Sequence, residues 1–422
     1  MNILFLTLVG FESVKERGIY TDLLREFIKR GHCVYAISPV EKREGVNTHI
    51  VHEDKAKILR LRIMGNQKTG MVKKGLSTVL LAPTMKRAVK KYFSDVKFDL
   101  VVYSTPPITY AGAIEYIKRR DGARTYLLLK DIIPDGAVSL GVLKTTGLKG
   151  IIYKYFRSQE KRLYRVSDRI GCMSRANVKY ILSHNFEVYQ RNNKNLKKTG
   201  KFIIEVCPNS IEPIDLSVTD EGRRILRDKY NIPQDRLVFV YGGNLGRPQG
   251  IPFMLKCIHS QRNNDNVFFL IVGNGTEYLR IESYIKKYNP SNMALYNSLP
   301  KNDYDKLVAA CDVGMIFLDH RIDVPNIPSR LLSYMQAKLP VLAVTDPCTD
   351  LKEIITGVNS YGNQTHDAFG WWCESNNVEK MISILNEIEV SNLKDRGNKA
   401  YDYMIEHYLV SDACEMVLKS MV

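Results

Sequence analysis

The strongest constraint on the fold of this chain is a regular alternation between short apolar runs and helical patterns. The apolar runs predict buried strands, and the amphipathic segments between them predict crossover helices. This βαβ order is typical of parallel sheets covered by helices. Strands are predicted at 2–8, 33–38, 99–104, 124–129, 168–173, 236–241, 267–272, 293–297, 312–317 and 339–344, and helices at 18–30, 107–119, 174–184, 250–261, 276–288, 302–310, 329–337, 378–389 and 393–407.

A polar, turn-rich stretch at 212–235 separates the two halves of this series. The length of 422 residues suits two domains of about 200 residues each. We therefore predict an α/β protein built from two doubly wound, Rossmann-like domains that face each other across a cleft. The predicted domains are 1–207 and 208–407.

Cysteine and histidine usage indicates the compartment and the absence of a zinc site. The eight cysteines are scattered without a C-x-x-C pair, and each lies in or beside an apolar segment. This pattern favours a reducing cytoplasm over a disulfide framework. The eight histidines are equally dispersed, so we expect no metal centre. No apolar stretch approaches the roughly 18 residues needed to span a bilayer.

Positive charge is concentrated in the first half of the chain. Residues 1–200 hold 38 Lys and Arg against 17 Asp and Glu, a net charge of +21, whereas residues 201–422 hold 23 against 28, a net charge of −5. Residues 55–94 contain eleven basic residues, no acidic ones and many interleaved apolar ones. Such a segment is typical of docking on an anionic membrane surface or of a solvated helix face over the core. A nucleic-acid patch is disfavoured, because no nucleic-acid-binding motif accompanies the charge.

The loops after the predicted strands hold the candidate binding residues, because ligands of open parallel sheets bind outside the carboxyl ends of strands. Gly18 opens the first helix, and the glycine-rich loop 242–250 offers backbone amides to an anion. Alone, such a loop is equally explained by the steric needs of a strand-to-helix turn. Further strand-end loops lie at 272–275, 298–300 and 319–328, and the last leads into a helix for which Ser329 is a good N-cap. The candidates in these four loops and helix are Gly243, Asn244, Arg247, Gln249, Asn274, Leu299, Pro328, Ser329 and Ser333.

An ordered set of motifs in the second half resembles the donor domain of retaining GT-B glycosyltransferases of the group 1, or family 4, type. The motifs are G-G-N-L-G-R-P-Q-G at 242–250, V-G-N-G at 272–275, A-C-D-V-G at 310–314 and P-N-I-P-S-R-L-L-S-Y-M-Q-A-K-L-P-V-L-A at 325–343. In the first half, K-D-I-I-P-D at 130–135, M-S-R-A-N at 173–177 and C-P-N-S-I at 207–211 agree. The resemblance covers essentially the full chain and is closest to bacterial capsule and O-antigen amino-sugar transferases.

The resemblance implies a metal-independent enzyme that takes an N-acetylated amino or deoxy sugar from a UDP-sugar. It implies that the second half binds the donor, that the first half binds a polyprenyl-diphosphate-linked saccharide, and that the last helix, 408–422, packs back on the first domain. We accordingly expect a cytoplasmic protein that is peripheral on the inner face of the cell membrane.

The sequence departs from the family pattern at several positions. A common Glu-x7-Glu pair reads Pro325 and Ser333, and the usual diphosphate-binding Arg and Lys read Asn244 and Gln249. Lys130 stands where many relatives have His. These departures keep two alternatives open, a UDP-sugar 2-epimerase-like GT-B isomerase and an inactive nucleotide-sugar-binding relative.

The expected chemistry is stabilisation of a departing nucleoside diphosphate without a metal ion. Backbone amides at Gly243 and Ser329, together with Arg247, would stabilise the charge on the phosphate. Lys130 and Asp131, at a predicted strand end, would orient the acceptor or the donor sugar. A surface ion pair or a helix cap is the alternative role of those two residues.

Overall fold

A computed structural model describes residues 1–41, 45–63, 71–195, 202–389 and 391–421, without the side chains of 71–79 and 191–195. The chain forms two compact units. Unit 1 comprises residues 1–212 and 410–422, and unit 2 comprises residues 213–409. The predicted boundary lay at 207/208. Each unit is a parallel α/β structure, which confirms the predicted fold class.

Unit 1 is built on an eight-stranded sheet with the order β3-β4-β2-β1-β5-β6-β7-β8. Only the β3–β4 pair is antiparallel among the strands described. The elements are β1 (Asn2–Leu6), α1 (Ile19–Lys29), β2 (Cys33–Glu41), β3 (His49–Glu53), β4 (Ala56–Ile63), α2 (Met71–Tyr92), β5 (Leu100–Ser104), α3 (Ala111–Asp121), β6 (Arg124–Leu129), α4 (Ile133–Ser139), α5 (Gly147–Val166), β7 (Arg169–Cys172), α6 (Arg175–His184), α7 (Phe186–Asn195) and β8 (Ile203–Val206). The order of strands reverses at β1, so the carboxyl ends of β1 and β5 border the position where such sheets bind ligands.

The basic segment 55–94 does not form one continuous helix. Its beginning is β4, where Ile58 and Leu59 are buried and Arg60 is buried as well. The Arg60 guanidinium donates to the Phe11 carbonyl at 2.6 Å and to the hydroxyl of Ser38 at 2.9 Å. In α2 the buried side chains include Leu81, Met85, Ala88 and Val89. Most described apolar residues of the segment therefore cover the core rather than face solvent. Lys68, Lys73 and Lys74 lie outside the described side chains.

Unit 2 is built on a six-stranded parallel sheet with the order β11-β10-β9-β12-β13-β14. Its elements are α8 (Asp220–Lys229), β9 (Leu237–Asn244), α9 (Ile251–Ser260), β10 (Val267–Asn274), α10 (Tyr278–Tyr288), β11 (Met293–Tyr296), α11 (Lys301–Ala309), β12 (Val313–Phe317), α12 (Arg330–Gln336), β13 (Val341–Thr345), α13 (Leu351–Thr356), β14 (Gly370–Glu374), α14 (Val378–Glu389) and α15 (Leu393–His407). The switch in strand order lies between β9 and β12. The ligand position of this unit is therefore outside the carboxyl ends of those two strands.

The last helix, α16 (Val410–Leu418), belongs to unit 1 and packs against α1. Val410, Ala413, Cys414 and Val417 lie at helical spacing and join the core cluster that contains Leu24 and Phe27. The backbone N–H of Val410 donates to the carbonyl of Ile211 at 3.1 Å. Burial of this apolar stripe, rather than the intrinsic preference of nine residues, holds the short helix in place.

Candidate functional site

The end of β9 is held against α12 by one buried tyrosine. The hydroxyl of Tyr334 donates to the carbonyl of Met315 at 3.0 Å and accepts the backbone N–H of Gly242 at 3.1 Å. Two glycines make room for this packing. A Cβ at Gly314 would lie 2.3 Å from the ring of Tyr334, and one at Gly242 would lie 1.7 Å from the hydroxyl of Tyr304. The glycine-rich loop is thus fixed where β9 and β12 end side by side.

Arg330, the first residue of α12, lies directly over this loop. Its guanidinium stands 4.2 Å from the centroid of the Tyr241 ring, a cation–π geometry. Its Nη2 atom donates to Oε1 of the buried Gln249 at 2.9 Å. The Tyr241 hydroxyl, which has one hydrogen to donate, faces that oxygen at 3.1 Å and the carbonyl of Asn244 at 2.9 Å. The Gln249 amide and the Tyr241 ring therefore hold the guanidinium in one position.

The charge of Arg330 has no carboxylate partner within 4.0 Å among the residues that the structure describes. Its Nη1 atom is buried and makes no hydrogen bond with the part of the chain that the structure describes. A buried charge or donor without a partner is costly, so the position favours an incoming anion. Gly243 lies beside it with a φ of 108°, and a Cβ there would stand 3.8 Å from Nη2. A glycine at this point keeps the left-handed backbone unstrained and the approach to the guanidinium open.

The predicted donor residues of unit 2 fall into two groups. Gly243 and Asn244 are the last two residues of β9, and Gln249 lies in the short turn that follows it. Asn274, at the end of β10, is the register partner of Asn244. Pro328, Ser329 and Ser333 lie at or next to the start of α12, close in sequence to Arg330. Leu299 follows β11, which is two strands away from β9.

One of these residues departs from the expectation, and a second remains a prediction. The prediction that Ser329 caps α12 is wrong, because its backbone is helical and its side chain makes no capping hydrogen bond. The side chain of Arg247 is exposed, in a single 3₁₀ turn between Gly246 and Gly250. Its role in binding the diphosphate remains a prediction. A second cation, the half-buried Arg330 of α12, lies against the same loop.

A second cluster forms in unit 1 at the carboxyl ends of β5 and β6. The backbone N–H groups of Lys130 and Asp131 both donate to the hydroxyl of Thr105, at 2.9 and 3.2 Å. Lys130 Nζ donates to the carbonyl of Cys207 at 3.4 Å, and burial lowers the pKa of this amine. Thr105 therefore fixes the direction in which the chain leaves β6, and with it the position of both candidate residues.

The carboxyl group of Asp131 has a pKa that is shifted upward, toward neutral pH. Crowding by the surrounding protein atoms raises its pKa to about 6, although Lys130 opposes the shift and the residue keeps an exposed surface. Burial raises the pKa of Tyr20, at the start of α1, to about 12, and the charge of the nearby Asp131 adds to this shift. A carboxyl group with a pKa near 6 is suited to holding or releasing a proton at a substrate hydroxyl.

Gly18 belongs to unit 1 and precedes α1. Its backbone N–H donates to the carboxylate of Asp22 at 3.2 Å, and its carbonyl accepts the Thr21 hydroxyl at 3.0 Å. Asp22 is buried and also accepts the N–H of Glu212 at 3.0 Å. Gly18 thus lies with Lys130 and Asp131 in unit 1, while the other predicted donor residues lie in unit 2. Its predicted contact with the donor is untested.

Arg330 is the residue that sequence reasoning missed. It occurs inside the P-S-R-L-L motif at 328–332, yet the predicted cation of the site was taken from the glycine-rich loop. The signal that could have found it is a basic residue placed immediately after a strand-end loop, at the start of a helix. Within the described parts of the chain, no group of three His, Cys, Asp or Glu side chains could hold a metal ion.

Comparison with known proteins connects these features to a family. Residues 222–407 match the family model of the glycosyl transferases group 1. The probable glycosyltransferase WbjE of Pseudomonas aeruginosa is 24% identical over 315 residues, which are 74% of this chain and 71% of that protein. The putative colanic acid biosynthesis glycosyl transferase WcaI of Escherichia coli K12 is 24% identical over 220 residues, 52% of this chain and 49% of that protein.

A solved structure shares the fold over the whole chain. It is described as trehalose-6-phosphate from E. coli bound with UDP-2-fluoro glucose, and it superposes with a TM-score of 0.68 at 10% sequence identity. The alignment covers 100% of this chain and 99% of that one. The overall fold is that of GT-B glycosyltransferases, as the motif pattern predicted.

Proposed function

We propose that the chain moves a sugar from a UDP-sugar to a lipid-linked saccharide, because residues 222–407 match the family model of the group 1 glycosyl transferases. The chain is a glycosyltransferase. The proposal adds that transfer retains the anomeric configuration, needs no metal ion, uses an N-acetylated amino or deoxy sugar, and occurs on the cytoplasmic face of the membrane during synthesis of a surface polysaccharide.

The observation that carries the donor half of this proposal is the buried guanidinium of Arg330 beside Gly243. Departure of UDP builds negative charge on the outer phosphate, and a fixed, dehydrated donor lowers the energy of that state. Arg330 is held by Gln249 and Tyr241 before any ligand arrives, so its position costs no reorganisation during the reaction. A planar guanidinium also matches the paired oxygens of a phosphate.

The acceptor half of the proposal is supported by Lys130 and Asp131. Both follow the end of β6. Lys130 lines a small cavity together with Tyr20, Asn209 and Ser210 among others, and Asp131 is the next residue in the chain. The Oδ1 atom of Asn209 is buried and makes no hydrogen bond with any residue that the structure describes. Free polar atoms and a carboxyl group of raised pKa are suited to binding the hydroxyl groups of a sugar.

The names of the relatives support the pathway and the nucleotide. WcaI is named for colanic acid biosynthesis, which is the basis for proposing a surface polysaccharide here. The structural neighbour is described with a UDP-sugar analogue bound, which supports UDP as the nucleotide. Among the described residues, no helix has the length and apolarity needed to cross a membrane.

A nucleotide screen tests the donor half. Thermal unfolding of the full chain is followed with UDP, GDP, dTDP and ADP, first with EDTA and then with Mg²⁺. We expect UDP alone to stabilise the protein, by about 2.7 kcal/mol at 100 times its dissociation constant, and equally with and without metal. Absence of a shift with all four nucleotides would contradict the donor half of the proposal.

Product analysis tests the transfer half. The chain is incubated with UDP-N-acetyl amino sugars, with and without a short polyprenyl-diphosphate-linked saccharide, and the products are examined by NMR. We expect a new glycosidic bond only when the acceptor is present, with the anomeric configuration of the donor. A new nucleotide sugar formed without acceptor would show an epimerase instead.

A further inference from the structure

Helix α5 of unit 1 exposes a stripe of large apolar side chains to solvent. Leu148 is 83% exposed, Ile151 66%, Ile152 47% and Tyr155 38%. Their spacing of three and four residues places them on one face of the helix. Gly150 and Glu160, which are buried, lie toward the other face. The apolar face of α5 therefore points away from the core at its N-terminal end, which is the reverse of an ordinary surface helix.

Positive charge surrounds this stripe. Lys149 and Lys154 are exposed and flank it on the two sides of the helix, and Lys144 is exposed in the preceding loop. The sequence from 136 to 159 contains no Asp or Glu. Val142, in the same loop, adds a further apolar side chain that is 41% exposed. The surface thus combines an apolar centre with a basic rim.

The basic rim continues onto the neighbouring helices of the same layer. Arg162 of α5 donates to the carboxylate of Glu115 on α3 at 2.8 Å. Lys86 and Lys90 of α2 lie 5.2 and 5.1 Å from the ring centroid of Tyr116 on α3. Helices α2, α3 and α5 therefore pack side by side, and the exposed α2 side chains Arg87, Lys90 and Lys91 extend the positive surface.

We propose that the exposed face of α5, with its flanking lysines, is the surface by which this protein docks on an anionic lipid membrane. Such docking combines two interactions. Apolar side chains enter the headgroup region, and lysines interact with the anionic headgroups. A second copy of the chain fits less well, because a symmetric interface through this face would set its lysines against those of the other copy. This inference rests on the proposed function. It assigns the membrane contact of the protein to α5 instead of to the apolar residues of 55–94.

Flotation of the full-length chain tests the surface with two kinds of vesicle, phosphatidylglycerol mixed with phosphatidylcholine, and phosphatidylcholine alone. We expect binding to the anionic vesicles. The double variant Leu148→Gln, Ile151→Gln should weaken it by roughly a hundredfold or more, since each buried aliphatic side chain contributes strongly. The double variant Lys149→Gln, Lys154→Gln should weaken it by about thirtyfold on anionic vesicles.

The matched control is Ile225→Gln, Leu279→Gln in unit 2, two aliphatic residues that are 59% and 69% exposed. This control should bind vesicles like the parent chain. The UDP-induced thermal shift is measured for every variant and should not change, which shows that the variants are folded. If the parent chain shows no UDP shift but the vesicle results hold, the proposed function fails and the docking surface stands.

Three results would overturn the assignment to α5. The parent chain could fail to float with either vesicle, or the Leu148→Gln, Ile151→Gln variant could float as well as the parent. Light scattering could also show that the parent chain is a dimer and that this variant is a monomer, while neither form binds vesicles. A second copy of the chain would then be the partner of this face.

Discussion

Replacing Arg330 by methionine separates a phosphate-binding role from a structural one. Methionine keeps the length of the side chain and its contact with the Tyr241 ring but removes the charge. The guanidinium has a buried Nη1 without a hydrogen bond and no ion pair with a described carboxylate. Replacing such a group by an apolar one is often neutral for stability. We expect the free energy of unfolding without nucleotide to change by less than about 1 kcal/mol.

Binding of UDP should respond much more strongly. A hydrogen bond to a charged group contributes about 1.5–3 kcal/mol, and a loss of about 2.7 kcal/mol raises the dissociation constant about a hundredfold. At a UDP concentration of 100 times the parent dissociation constant, the parent chain is stabilised by about 2.7 kcal/mol. The Arg330→Met variant at the same concentration is stabilised by only about 0.4 kcal/mol.

The assay is thermal unfolding with and without UDP, with the dissociation constants measured by calorimetric titration. The matched control is Arg280→Met, an exposed arginine of α10 that pairs with Glu277 at 2.7 Å, and its UDP shift should be that of the parent. Arg247→Met tests the competing cation of the glycine-rich loop. If Arg330→Met binds UDP normally while Arg247→Met does not, the buried guanidinium is structural and our reasoning about the unpaired charge is refuted.

Three further predictions concern acidity and packing. Because the pKa of Asp131 is raised to about 6, its carboxylate is lost below that pH, and kcat/KM for transfer should fall up to tenfold per unit as the pH decreases from 6. Gly242→Ala should lower the free energy of unfolding by about 1–3 kcal/mol, because its Cβ would collide with Tyr304, as denaturant unfolding would measure. Asp22→Asn should lower it by a similar amount, since the buried carboxylate accepts from Arg25 and from two backbone N–H groups.

Each of these three predictions has its own control. Asp131→Asn should give low activity with no pH step near 6, and a step that persists in this variant would assign the titration to another group. Gly112→Ala is the control for Gly242, because its added Cβ meets no atom closer than 3.8 Å. Equal unfolding curves for the two alanine variants would contradict the packing argument. For Asp22, an unfolding midpoint like that of the parent would show that its hydrogen bonds are replaced by water.

The fold could be predicted where strands are buried on both faces. Such strands are near-continuous apolar runs, and β5, β6, β9 and β10 were found within a few residues of their ends. β4 was missed because Lys57, Arg60 and Arg62 interrupt its apolar residues. Helix α8 was missed because the segment 212–235 is polar, and α8 is held by its buried Arg227, which donates to the carbonyl of Ala310 and to Asp312.

The candidate site could be predicted only in part, because the sequence shows its loop residues but not the distant residues that contact them. The glycine-rich loop at 242–250 is visible in the sequence, because glycine is required where backbone turns sharply or where another group approaches closely. Which cation approaches that loop is not visible. Arg330 is 81 positions after Gln249 in the chain, and the two meet through a single 2.9 Å hydrogen bond.

The amino-acid sequence by itself determined the parallel α/β class, the two-part organisation and the loops that follow the strands, since these depend on local apolar patterns and turn residues. The tertiary structure alone decided that Arg330 joins the loop after β9, that Arg60 is buried, and that α5 presents apolar side chains to solvent while most of the described apolar residues of 55–94 are buried. The physical reason is that strand order and burial depend on which distant elements pack together, and a local pattern of residues does not contain that information.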